Sequence, residues 1–180
     1  MKKLALALLF CGVSAFAGSV TYSTSGAFSG TDASGSGLAN GSATITYNPQ
    51  SSITVSTPTG INIGSLVVAG GSGTFSGDTF ALTIWQTSPS TGNSTTSTTI
   101  SGSVSGNSNN ILVSFSPASF SIGSITYTLQ NSTYFLVAPN TNSGVTSLQA
   151  NVVAPEPASL GLIGASLMGL GMAFRRRFAK

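Results

Sequence analysis

An all-β fold is what this sequence predicts, and three observations predict it. Apolar residues alternate with Thr and Ser in a series of short runs, and clusters of Gly, Pro and Asn separate those runs. No helix-period segment occurs before residue 158. Parallel sheets would need crossover helices or a solenoid repeat. The expected architecture is therefore an antiparallel β-sandwich or jelly-roll-like domain of eight to ten short strands. A single C-terminal transmembrane helix should follow it.

The first element is MKKLALALLFCGVSAFA. Lys2 and Lys3 precede an apolar run from Leu4 to Val13, and Ala15-Phe16-Ala17 follows. A basic start, a short apolar centre and an A-x-A site make a secretory signal peptide, residues 1–17, cleaved after Ala17. The run of about ten residues is too short for a lasting span, which takes roughly 20. Cys11, the one cysteine, lies within it, so a chain starting at Gly18 has neither disulfides nor thiol chemistry.

Residues 18–154 should form one domain rich in Ser, Thr and Gly. The whole chain has 32 Ser, 22 Thr and 22 Gly, a composition that also suits a disordered stalk. The alternation argues against a stalk. In ATITYN, Ala43, Ile45 and Tyr47 share one face, and SITVS repeats the pattern with Ile53 and Val55. In FALTIWQ, Phe80, Leu82 and Ile84 oppose Ala81, Thr83 and Trp85. LVSFS carries Val113 and Phe115, and SITYTLQ sets Ile125, Tyr127 and Leu129 against Thr126 and Thr128. TYFLVAP reads as a more fully buried strand. NPQSS, TPTG, AGGSG, TSPSTGNS, SGNSNN and APNTNSG read as breaks. Three segments, GAFSG (26–30), GTFSG (73–77) and GSVSG (102–106), look alike at unequal spacing. That favours chance likeness of strand ends over a true repeat, the alternative being a duplicated hairpin whose glycines allow close backbone approach.

Charge narrows the chemistry. All six basic residues are terminal: Lys2, Lys3, Arg175, Arg176, Arg177 and Lys180. Between Leu4 and Phe174 there is no Lys, Arg or His, which excludes nucleic-acid binding by the domain. General acid–base catalysis has only Asp32 and Asp78 to work with, both in Gly/Ser-flanked turn contexts where Asp commonly bonds its own backbone. No Gly-x-Ser-x-Gly elbow occurs, and two separated Asp residues make at best a weak Ca²⁺ site. The expectation is a protein that is not an enzyme, with no catalytic residue, no metal and no cofactor.

The chain closes on APEPASLGLIGASLMGLGMAFRRRFAK. Ala158 to Phe174 is a 17-residue stretch without charge, roughly 25 Å as a helix and at the short limit of a span. Gly161, Ala165, Gly169 and Ala173 form a small-residue stripe, which either lets helices approach closely or merely reflects composition. Arg175, Arg176 and Arg177 would stay cytoplasmic and leave the large domain outside. The signal peptide requires the same orientation. Pro155 and Pro157 hold Glu156 in an extended, exposed segment.

A Pro-Glu-Pro motif, an apolar helix and an arginine cluster, in that order, resemble the sorting tail of the PEP-CTERM proteins of Gram-negative bacteria, over residues 155–180. The resemblance implies that Pro155, Glu156 and Pro157 are the recognition motif of the processing enzyme exosortase. Residues 158–174 would be the transmembrane helix and residues 175–180 the basic stop. It implies transient anchoring in the inner membrane with a cytoplasmic C-terminus, then removal of the tail and release to the cell surface or beyond. It also implies association with exopolysaccharide and biofilm, and glycosylation of Ser/Thr-rich members. Such tails carry many different passengers, so the domain keeps two readings. One is a structural protein of the cell surface or extracellular matrix; the other is a non-catalytic carbohydrate-binding or adhesion module. For the second, Trp85 is the candidate sugar platform, if it stands exposed beside another ring such as Tyr22, Tyr47, Tyr127 or Tyr134. Otherwise it partly covers a sandwich edge or the core. The segment Asn93 to Ser103, read as one loop and the strand after it, is the densest candidate for attached sugar, with Asn40, Asn93 and Asn131 in Asn-x-Ser/Thr sequences.

Overall fold

A computed structural model describes residues 18–105, 108–155, 164 and 166–169. The expected signal peptide, Glu156, Pro157, the arginine cluster and most of the expected transmembrane helix lie outside these residues. Gly164 and Ser166–Gly169 are helical. Among the described residues no helix is long and apolar enough to cross a membrane.

Gly18–Ala154 forms one compact unit and is built from antiparallel strands. In chain order these are β1 (Ser19–Ser29), β2 (Ala33–Ser34), β3 (Gly37–Asn40), β4 (Ala43–Asn48), β5 (Ile53–Ser56), β6 (Thr59–Gly70) and β7 (Ser72–Ser88). Then come β8 (Gly92–Ser105), β9 (Ser108–Asn109), β10 (Leu112–Ser116), β11 (Ser119–Ile122), β12 (Ile125–Leu129), β13 (Thr133–Phe135) and β14 (Val145–Val153). The first sheet runs β13-β10-β8-β7-β1-β5, with β9 on β8, and the second runs β11-β12-β14-β6-β4-β3-β2.

Both sheets turn an apolar face to a common core. From the first come Val20, Tyr22, Phe80, Leu82, Ile84, Ile100 and Val113, and from the second Ile45, Ile63, Leu66, Val68, Tyr127, Leu148 and Val152, all buried. Alternation produces this directly: β14 is buried at every second residue from Thr146 to Val152. The seam is also polar at chosen points. Tyr22 OH donates to Asn62 O (2.7 Å), and Tyr127 OH donates to Gln86 Oε1 (2.8 Å). Gln86 is buried, and its amide in turn donates to Ser90 O and Ser90 Oγ. Each of these two tyrosine hydroxyls thus meets a partner on the facing sheet.

Phe80 sits at the centre. Its ring lies 4.7 Å from Phe28, 5.1 Å from Tyr47 on the other sheet and 6.2 Å from Phe115. Gly26 makes the arrangement possible, because a Cβ there would lie 2.5 Å from both the Phe80 and Tyr47 rings.

Two expectations need correction. Among the described residues the strands number fourteen, not eight to ten, and two are long: β7 has 17 residues and β8 has 14. AGGSG does separate β6 from β7, with Gly71 between them, but the Gly and Ser around Asp78 in SGDTF make no turn: β7 runs through them, and its pairing with β8 slips only once, between Ser76 and Asp78. TYFLVAP is not a buried strand. β13 covers only Thr133–Phe135 at the sheet edge, and Phe135 is 71% exposed. An edge strand has one neighbour to bury against, so an apolar run there can point outward. As for the look-alike segments, 73–76 pairs with 101–104 across the β7–β8 hairpin, and 26–29 pairs with 79–82 on the same β7.

Candidate functional site

Three groups of residues bear on function: the outer faces of the sheets, the ring of Trp85 and the start of the tail.

The outward residues of the first sheet form cross-strand rows of hydroxyls. In register across five strands stand Ser29, Thr79, Thr99, Ser114 and Thr133. Four residues away along β7, Ser25, Thr83 and Thr95 make a parallel row. Neighbours bond one another: Thr83 with Thr95 (2.8 Å), Ser114 with Thr133 (3.2 Å) and Thr21 with Thr54 (2.8 Å). The second sheet repeats this at Ser119–Thr128 (3.0 Å) and Ser121–Thr126 (3.1 Å). Hydroxyls opposite each other stabilise a pair of strands modestly. Asn93 to Ser103 lies wholly within the interior strand β8, not in a loop followed by a strand. Its Thr95, Ser97, Thr99 and Ser101 point out, while Thr96, Thr98 and Ile100 are buried.

Of the Asn-x-Ser/Thr sequences, Asn40 is already engaged, since Nδ2 donates to Asp32 Oδ1 and Oδ1 accepts from Thr74 N. Asn93 and Asn131 are exposed.

Trp85 points away from the core as its place in FALTIWQ requires, and is 47% exposed. Its Nε1 donates to Ser25 Oγ at 3.2 Å. The rings expected beside it are elsewhere. Tyr22, Tyr127 and Tyr134 are buried, Tyr47 packs on Phe80, and no described aromatic ring pairs with Trp85. It stands alone in a field of hydroxyls, flanked in register by Ser23 and Asn93.

Burial sets the tyrosine chemistry. Tyr47 is pushed up to about 12 by desolvation, against the lowering effect of its hydrogen bond with Thr24 and with a further rise from Tyr22. Tyr127 is likewise pushed up to about 12 by burial, then by Tyr22. Burial raises Tyr22 as well. All three phenols are neutral hydrogen-bonding groups near neutral pH.

The sequence puts Asp32 and Asp78 each in a turn of its own. The fold brings them together, with Asp32 N donating to Asp78 Oδ1 at 3.1 Å. Nothing local in TDASGSG or SGDTF signals this, because the contact joins positions 46 apart. Only the absence of any other acid in the domain marks them.

At the other end of the domain, β14 finishes at Val153, and Ala154 and Pro155 lead out of it without regular structure. The family model for the PEP-CTERM protein-sorting motif matches residues 153–177. This covers Pro155, Glu156, Pro157, the apolar stretch and Arg175 to Arg177. No curated protein and no solved structure matches the chain. The chain therefore carries a PEP-CTERM sorting motif, consistent with a PEP-CTERM protein exported for exosortase processing.

Proposed function

We propose that this protein, sorted through its PEP-CTERM tail, is a non-enzymatic structural component of the cell surface or extracellular matrix, associated with exopolysaccharide and biofilm. The observation that carries the reading is the sorting motif at residues 153–177, which makes an exosortase the processing partner. The domain suits such a role. Its outer faces offer rows of Ser and Thr, and between Leu4 and Phe174 the sequence has no Lys, Arg or His with which to build a catalytic base.

Such a surface has little charge to hold it in solution. O-linked sugar on the outward hydroxyls of β8 would supply hydration and blunt pairing between molecules. The unmodified alternative, in which Ser and Thr simply suit strand surfaces, gives bare protein of the polypeptide mass. A carbohydrate-binding or adhesion module is the second reading. It draws on Trp85 alone, which has no partner ring among the described residues.

In this reading the tail is anchored in the inner membrane with Arg175 to Arg177 in the cytoplasm until Pro155-Glu156-Pro157 is processed. Glu156→Gln should leave an unprocessed, membrane-held form, and replacing the three arginines with Ser should weaken retention. Maturation of the Glu156→Gln protein at the normal rate, followed by pulse-chase and fractionation in the native host, would rule out this route.

A further inference from the structure

We propose that Asp78, Asp32 and the β1–β2 turn form a binding site for a hard divalent cation, with Ca²⁺ the ion it fits. Asp78 follows the bulge in β7, where the register with β8 slips between Ser76 and Asp78. The slip turns its side chain inward, and Asp78 is 0% exposed. Oδ1 accepts a hydrogen bond from Asp32 N. Oδ2 is buried with no hydrogen-bond partner.

Gly30 closes over this carboxyl group. It adopts φ +134°, and a Cβ there would collide with Asp78 Oδ1. Asp32 stands at the same turn, half-buried, its Oδ1 held by Asn40 Nδ2 at 3.0 Å. Gly30 O receives only a long 3.4 Å hydrogen bond, from Ala33 N. The two acidic residues of Gly18–Ala154 therefore converge on one turn, in a segment without a Lys, Arg or His to offset them.

A buried carboxylate oxygen without a partner is strongly unfavourable. A bound cation would give Oδ2 the partner it lacks. Carboxylate and carbonyl oxygens are the ligands of Ca²⁺, which tolerates irregular geometry, whereas Mg²⁺ requires a near-ideal octahedron and keeps its waters. Asp78 Oδ2, the Asp32 carboxylate and Gly30 O are the ligands assigned, with water completing the shell. Two carboxylates place the affinity on the order of 10⁻⁴ to 10⁻³ M, as in other extracellular modules.

The test is thermal unfolding of the full chain in detergent, with EDTA, CaCl₂ or MgCl₂, together with equilibrium dialysis against ⁴⁵Ca²⁺. At ten times Kd, Ca²⁺ should favour the folded state about elevenfold and raise Tm by roughly 3–6 °C. The same concentration of Mg²⁺ should give less than a third of that rise, and dialysis should find one ion per chain. Asp78→Asn should abolish the response. Should that variant not fold, Asp32→Asn, at the half-exposed turn, should weaken Ca²⁺ binding about tenfold and still fold. A Tm unchanged by 10 mM Ca²⁺ would overturn the site, as would a full Ca²⁺ response in Asp32→Asn or an Asp78→Asn protein more stable than the parent in Ca²⁺.

Discussion

Replacing Phe80 with Ala removes the ring on which both sheets close. Phe80 is fully buried, with Phe28, Phe115 and, from the facing sheet, Tyr47 around it. Truncating a buried Phe costs about 3–5 kcal/mol, and each well-placed aromatic pair adds roughly 0.5–1.5 kcal/mol beyond buried area. Because the truncation abolishes all three ring pairs, the upper part of that range applies, about 4–5 kcal/mol. At roughly 2.1 cal/mol/K per residue, the entropy of unfolding for residues 18–154 is about 0.29 kcal/mol/K. The expected fall in Tm is then about 14–17 °C. Far-UV circular dichroism reads the transition, and the fluorescence of Trp85, the single tryptophan, reads it independently from the same strand. Phe80→Leu keeps most of the apolar volume and should lose roughly 1–1.5 kcal/mol, about 3–5 °C. A Phe80→Ala protein melting within about 4 °C of the parent would refute the claim that this ring joins the two layers.

Two further perturbations probe the same seam. Gly26→Ala would place a methyl group 2.5 Å from the Phe80 and Tyr47 rings, and should destabilise by about 1–3 kcal/mol in chemical denaturation. Alkaline pH should act through the tyrosines. Tyr47 and Tyr127 stand at about 12 in the folded protein against 10 in an unfolded chain, so above pH 10 the unfolded chain releases protons that the folded one keeps. Stability should be full below pH 10 and fall between pH 10 and 12, by on the order of 2 kcal/mol for each phenol. Urea midpoints at pH 9 and pH 11.5 check this, with Tyr127→Phe flattening part of the slope.

The sequence revealed the strands wherever one face was buried and the other wet. Ala43–Asn48 and Ile125–Leu129 alternate cleanly because each lies inside a sheet with the core on one side. It misled where glycine does something other than end a strand. Gly26 lies within β1 where two rings pass close, and Gly77 lies within β7 at its bulge, so reading the Gly and Ser around Asp78 as a turn cut β7 short. Phe135 misled for the opposite reason, since its apolar side chain sits on an edge strand and faces outward. Trp85 was legible in orientation, because period two fixes its face. Its lack of a partner ring was not, because that depends on which strands β1 and β8 bring beside it. The meeting of Asp32 with Asp78 was hidden for a related reason: it is made by a register slip in β7 and a turn after β1, neither of which carries a local pattern.

Export and tail-directed processing are the centre of this account, and intact mass spectrometry of the protein recovered from its native host tests them most directly. The account predicts a chain beginning at Gly18 and ending near Pro155, with the apolar stretch and Arg175 to Arg177 gone, at the polypeptide mass or at that mass plus whole sugar units. A recovered chain that still carries residues 158–180 in the cell-surface or extracellular fraction would contradict it.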